Sequence, residues 1–216
     1  MTIIGVEFPE REYRRVVTAK DLIVLHHTVS SNAMSTINWW KADNGARKTA
    51  TSFVVEKNGD IYQCFSAEYW AVHLYIHKEK GLEPPQLYRD EKRSIGIEIV
   101  NEGPLTRKFM NGKLVYRWNE GKSIYRGAVK ETVKDYRGFG NFWADFTEEQ
   151  YTSVAMLLKL LKHQFGIPLH FVTSKDVMDL SKFKGVAAHR NLRKDKSDVS
   201  PIWDWNKLEK LCLASE

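Results

Sequence analysis

No stretch of the 216-residue sequence approaches the roughly 18 consecutive apolar residues that a membrane span needs. The first residues, MTIIGVEFPEREYRRVVTAK, mix acids and bases and lack the apolar centre of a secretory leader. The chain is therefore expected to be made as a soluble cytoplasmic protein. Cysteine is scarce. Cys64 and Cys212 lie far apart and neither has a CxxC neighbour, which excludes a thiolate metal cluster and predicts two reduced structural thiols. No Pro-, Gly- or Ser-rich stretch divides the chain and no internal repeat runs through it, so one domain is expected over residues 1–216. Nothing resembles a nucleophilic triad.

What is present suits a packed domain: 43% of the residues are hydrophobic and seven are Trp. The net charge of +6 is local. Between Thr106 and Arg137 nine basic residues (Arg107, Lys108, Lys113, Arg117, Lys122, Arg126, Lys130, Lys134, Arg137) face three acids (Glu120, Glu131, Asp135). Phe109, Tyr116, Trp118, Tyr125 and Tyr136 are interleaved with them. Such a segment suits nucleic acid or an anionic cell wall, or is simply a solvated loop.

Leu22–Thr28 (LIVLHHT) is a short β-branched apolar run and predicts a buried strand. Ser30, Ser31 and Asn32 are candidate caps for a helix carrying Ile37, Trp39 and Trp40 that ends near Gly45. SFVVEK and IYQCF flank Asn58-Gly59 and predict a hairpin, because that dipeptide accepts positive φ. In Ser94–Val100 (SIGIEIV), Ile95, Ile97 and Ile99 are expected to face the core. Glu98 then falls on the other face beside Gly96, with open space next to it. A small hairpin is expected around Asn111-Gly112. Thr147 and Gln150 form a capping box ahead of a stripe from Tyr151 to Phe165, and Gly166 and Pro168 stop that helix. Gly185–Leu192 reads as a strand running into a loop and Trp205–Leu213 as a terminal helix. The alternation predicts an α/β fold with a single mixed central sheet flanked by helices.

Three features carry chemistry together. His26-His27 ends a buried strand, Glu98 lies on the open face of another, and AAHRNLRKDKSDVSPIWDW places His189 nine residues before Asp198, with Lys196 close by. Singly each is weak. Jointly, two imidazoles and one carboxylate are the donors zinc uses in hydrolytic sites. Adjacent strand residues face opposite sides, so only one of His26 and His27 can point at a metal; alternation does not say which.

These pieces resemble the type 2 N-acetylmuramoyl-L-alanine amidases, whose fold is shared by phage amidase lysozymes and animal peptidoglycan recognition proteins. The matching runs, in order from Leu22 to Trp205, are LIVLHHTVS, TSFVVEKNGDIYQCFSAEYWAVH, RSIGIEIVNEG, FTEEQ and VAAHRNLRKDKSDVSPIWDW. The resemblance implies Zn2+ held by His26, His189 and Asp198, with Glu98 as general base and Lys196 stabilising the oxyanion. His27 is then a packed residue, and His73 lines the cleft as a substrate-contacting residue without ligating. Two departures stand out: Ala71-Val72-His73 replaces an aromatic-His pair, and Asp198-Val199-Ser200-Pro201 replaces Asp-Pro-Gly-Pro. His77, His163 and His170 have no motif around them and read as structural or surface residues. Residues 104–145 read as a basic insertion beyond the minimal fold.

The resemblance implies hydrolysis of the bond between N-acetylmuramic acid and L-alanine, on peptidoglycan or muropeptides, by a monomer that needs no nucleic acid. The basic segment favours an endolysin-like, wall-lytic role over the recycling of soluble muropeptides. The rival from another class is a non-catalytic peptidoglycan-binding module, which the full donor set argues against.

Overall fold

The computed structural model describes residues 2–42, 47–76 and 88–214. Its central sheet has six strands: β1 (Ile3–Gly5), β4 (Ile61–Gln63), β3 (Phe53–Val55), β5 (Ser94–Ile99), β2 (Leu22–His27) and β11 (Gly185–Ala188), adjacent in that order. β2 is buried along its whole length and runs parallel to both neighbours, β5 and β11. A continuous apolar run is what a parallel strand covered on both faces requires. The antiparallel pair is the β3–β4 hairpin, turned at Gly59 with φ 86°. There Ser153 Oγ donates to Gly59 O at 2.6 Å.

One face of the sheet carries Ile23, Leu25, Ile95, Ile97 and Ile99. It packs on α3 (Glu148–Phe165) through Val154, Leu157, Leu158 and Leu161, and on α4 (Trp205–Leu213) through Leu208. α3 starts with the capping box expected from sequence: Thr147 Oγ1 accepts from Gln150 N and Gln150 Oε1 accepts from Thr147 N, both at 3.1 Å. It ends at Gly166, left-handed at φ 70°. On the other face, Val54 and Val100 pack against α1 (Ala33–Lys41) through Ile37 and Trp40, while Leu22 and Val24 meet Leu74, Ile76 and Leu180. Asn32 is the cap of α1, accepting from Ser35 N at 2.8 Å. The expected end of that helix near Gly45, and His77, lie outside the described residues.

Residues 104–145 hold more than the expected small hairpin. A second, antiparallel sheet is built from β8 (Ser123–Tyr125), β7 (Lys113–Trp118), β6 (Pro104–Met110), β10 (Phe142–Ala144) and β9 (Val129–Glu131), in that order. The expected turn joins β6 to β7, with Asn111 and Gly112 at φ 50° and 72°. β8, β9 and β10 are each three residues long, too short for alternation to register. Seven of the nine basic side chains here are exposed, whereas Arg117 and Arg137 are half-buried. Cys64 is buried, Cys212 partly so, and both are free thiols. His163 and His170 are exposed.

Candidate metal centre

β2 and β5 run side by side with His26 opposite Glu98 in register. Both lie at the carboxyl ends of parallel strands, where open α/β sheets place their sites. Parallel β11 ends beside β2 and turns at once into a short 3-10 turn, His189–Asn191. The loop that follows returns Asp198 to the same spot. One donor atom each from His26, His189 and Asp198 lies within 4.8 Å of the others. His26 Nδ1 is 2.9 Å and His189 Nδ1 is 3.0 Å from the same oxygen, Asp198 Oδ2.

The outer hydrogen bonds fix where the ring protons sit. His189 Nε2 faces the Leu74 carbonyl at 2.9 Å and must donate to it, so Nδ1 keeps a lone pair. For His26 the chain is longer. Ser94 Oγ donates to Asp90 O at 2.6 Å, so it accepts from His73 Nε2 at 2.8 Å. His73 Nδ1 is then an acceptor, and His26 Nε2 donates to it at 2.9 Å. That leaves His26 Nδ1 with a lone pair as well. Three acceptors converge on one point, which is unfavourable without a cation between them.

Burial pushes His26 down to about 4, so the imidazole is neutral at pH 7. Burial also pushes the Asp198 carboxyl up, but the two imidazoles outweigh it and hold the group well below the usual carboxylate range. These tendencies oppose each other at His26, where Asp198 favours the proton that burial removes. A bound cation satisfies both.

His27 points to the other face of β2. Its Nε2 is 3.2 Å from where a Cβ on Gly103 would lie, and its buried Nδ1 has no hydrogen-bond partner among the described residues. Burial pushes it down to about 4 too. His73 borders the cleft, and both of its ring nitrogens are engaged inside the protein. The space at Gly96 is filled, while Glu98 itself borders the cleft. A Cβ on Gly96 would lie 2.7 Å from Thr51 Cγ2 and 3.0 Å from His73 Nδ1, so glycine there makes room for that imidazole.

Glu98 faces the cleft and its buried Oε2 has no hydrogen-bond partner among the described residues. Burial and then the charge of Asp198 raise its carboxyl well above the usual range, while Lys196 pulls it down. Lys196 borders the same cleft, of about 770 Å3, together with Trp39, Thr49 and Phe139.

Sequence reasoning missed the frame around the donors. Glu91, fully buried on the short helix α2 (Arg89–Arg93), accepts from the backbone N–H groups of His73, Leu74 and Tyr75 at 2.8–3.1 Å. It thereby holds the segment that orients both imidazoles. Burial pushes it up to about 7 against those three donors. Arg190, also fully buried, donates to the carbonyls of Val199 and Ser200 behind Asp198. Arg190 carried one sequence signal, a charge next to His189, and Glu91 carried none.

A model of the N-acetylmuramoyl-L-alanine amidase family matches residues 16–201, and the chain belongs to that family. Among solved structures, a mutant endolysin from Bacillus subtilis is similar at 17% identity, with a TM-score of 0.56 over 98% of this chain and 99% of that one. A selenomethionine derivative of AmpD gives 16%, 0.52, 96% and 92%. The amidase LysC from Clostridium intestinale URNW gives 15%, 0.51, 97% and 96%. At these identities the likeness is one of fold. No curated protein matches the sequence.

Proposed function

We propose that the chain is a zinc-dependent amidase that hydrolyses the amide between N-acetylmuramic acid and L-alanine of peptidoglycan, in an endolysin-like, wall-lytic role. The observation that carries the metal is the convergence of three acceptors, His26 Nδ1, His189 Nδ1 and Asp198 Oδ2, with the outer imidazole nitrogens already satisfied. Two nitrogens and one carboxylate suit zinc and leave a position open.

When bound, zinc supplies Lewis acidity and lowers the pKa of water towards about 7. Glu98 takes the proton as water adds to the lactyl carbonyl carbon, then passes it to the alanine nitrogen as the C–N bond breaks. Its raised pKa and its place beside His26 suit both transfers. Lys196, which borders the same cleft, would stabilise the negative charge that develops on the carbonyl oxygen. The exposed basic side chains of the 104–145 sheet support an anionic polymer as substrate.

The test is incubation of the pure protein with purified sacculi, with and without a chelator, and mass spectrometry of the released ends. Free muramic acid carboxyls and alanine amino termini, lost with the chelator, are expected. Zinc content should be about one per chain, and absent in Asp198→Ala. Cleavage that survives complete removal of metal would sink the reading.

A further inference from the structure

The 104–145 segment reaches back to the metal loop at one place. Residues 135–140, DYRGFG, close into a turn in which Asp135 accepts from Gly138 N at 2.6 Å and Gly140 N at 3.0 Å, and Tyr136 N donates to Gly140 O at 3.1 Å. Arg137 sits at its apex in the left-handed region, φ 54°, which an arginine adopts only when its surroundings compel it.

Its guanidinium lies among backbone carbonyls of the stretch between His189 and Asp198. Nη1 is 3.2 Å from Arg190 O, 3.2 Å from Arg193 O, 3.3 Å from Lys196 O and 3.5 Å from Lys194 O, while Nη2 donates to Lys175 O at 2.7 Å. Tyr136 Oη also donates to Lys175 O, at 2.9 Å. Carbonyls gathered around one point repel unless a cation stands there; the two N–H groups of Nη1 are shared among these four, while Nη2 ties the same planar group to Lys175 O. Two other guanidiniums secure the rest of this stretch: Arg190 behind Asp198, and Arg193 on the Leu74 and Tyr75 carbonyls. Arg137 is the one supplied by the second sheet.

We propose that Arg137 is a positioning residue of the catalytic site, gathering the 190–196 carbonyls so that Lys196 and Asp198 face His26 and His189. This rests on the amidase reading for the roles of those four residues. The segment then has a duty at the metal loop separate from its surface charge.

The experiment compares wild type, Arg137→Ala, Arg137→Lys and the exposed control Lys162→Ala on α3. Zinc affinity is measured against a competing chelator, amide exchange of residues 190–197 in the metal-free protein, and turnover of a soluble muropeptide. Arg137→Ala should bind zinc about 10- to 100-fold more weakly, the range for loss of a group that orients metal ligands. It should also exchange faster across 190–197 and lose kcat rather than KM. Millimolar guanidinium should restore part of the loss, and Arg137→Lys should recover little because a point charge cannot fork. Lys162→Ala should match wild type. Zinc affinity and loop exchange equal to wild type in Arg137→Ala would overturn the proposal, as would a loss of activity with unchanged zinc affinity and no guanidinium rescue. If Arg137→Ala does not fold, Arg137→Lys carries the same readouts with the same overturning result. A wild type that neither binds zinc nor cleaves would instead remove the amidase reading, and the parallel measurement tells the two failures apart.

Discussion

Ser94 touches His26 only through His73, yet its hydroxyl decides which nitrogen of His26 is free. Because it spends its proton on Asp90 O, His73 must donate to it and can then only accept from His26. Ser94→Ala removes that acceptor and frees both rings to change tautomer. Zinc affinity is expected to fall about tenfold, the low end for outer-shell groups, while stability changes by only about 1 kcal/mol. Chelator competition beside thermal unfolding of the metal-free protein checks this; equal zinc affinity would show that the tautomer is set elsewhere. Two buried groups give a second prediction, with opposite signs. Between pH 4 and 6.5 the unfolded chain carries a proton on His27 that the folded chain refuses, so His27 makes the fold gain stability as pH rises. Between pH 4.5 and 7 folded Glu91 keeps a proton that the unfolded chain has lost, so its contribution falls as pH rises. The stability of wild type minus His27→Phe should therefore grow from pH 4 to 6.5, and wild type minus Glu91→Gln should shrink from pH 4.5 to 7. Each slope is at most about 1.4 kcal/mol per pH unit. Denaturant titration of metal-free protein at several pH values measures both. The spacing of His189 and Asp198 could be read from sequence because nine residues and one loop join them. The partners of Ser94, His73 and Glu91 could not, since they are backbone groups or rings brought close only by the fold.

α3 was legible in full because its signals are local: a cap, an apolar stripe and a stop. Its stripe is also what holds the sheet flat side down. Leu157 is fully buried against the isoleucine face, so Leu157→Ala should cost about 2–5 kcal/mol, read as a lowered denaturant midpoint. The stripe contacts the sheet face opposite His26 and Glu98, so zinc affinity should stay near wild type wherever the variant is folded. A large loss of zinc affinity would mean that helix packing, not the frame around residues 73–75, sets donor geometry. The second sheet was legible only at its first turn. Asn111-Gly112 announces itself by positive φ, while three-residue strands are defined by partners distant in sequence, such as Phe142 opposite Leu105. Composition gave the charge of that segment but not its division of labour, with seven basic groups turned to solvent and Arg137 turned inward.

At the scale of the molecule, the outward charges and the cleft belong to different sheets. Exposed charges act over about 10 Å at 0.1 M salt, raising the local concentration of an anionic polymer with little influence on bond breaking. Reversing Lys108, Lys113, Lys122 and Arg126, all exposed, should weaken adsorption to intact cell wall by an amount that grows as salt is lowered. Turnover of a small soluble muropeptide should change little. Equal losses on both substrates would mean that these side chains shape the site, and would favour action on soluble fragments. The order of the strands has one more consequence. His26 and Asp198 are 172 positions apart, and the donors meet only when β11 has settled beside β2. An ion joining them works like a clasp on a long loop of chain, and closing a loop of that length excludes more disordered conformations than any local contact could. On the proposed zinc reading, removing the ion is expected to shorten survival against proteases, because the clasp between β2 and the end of the chain is then lost.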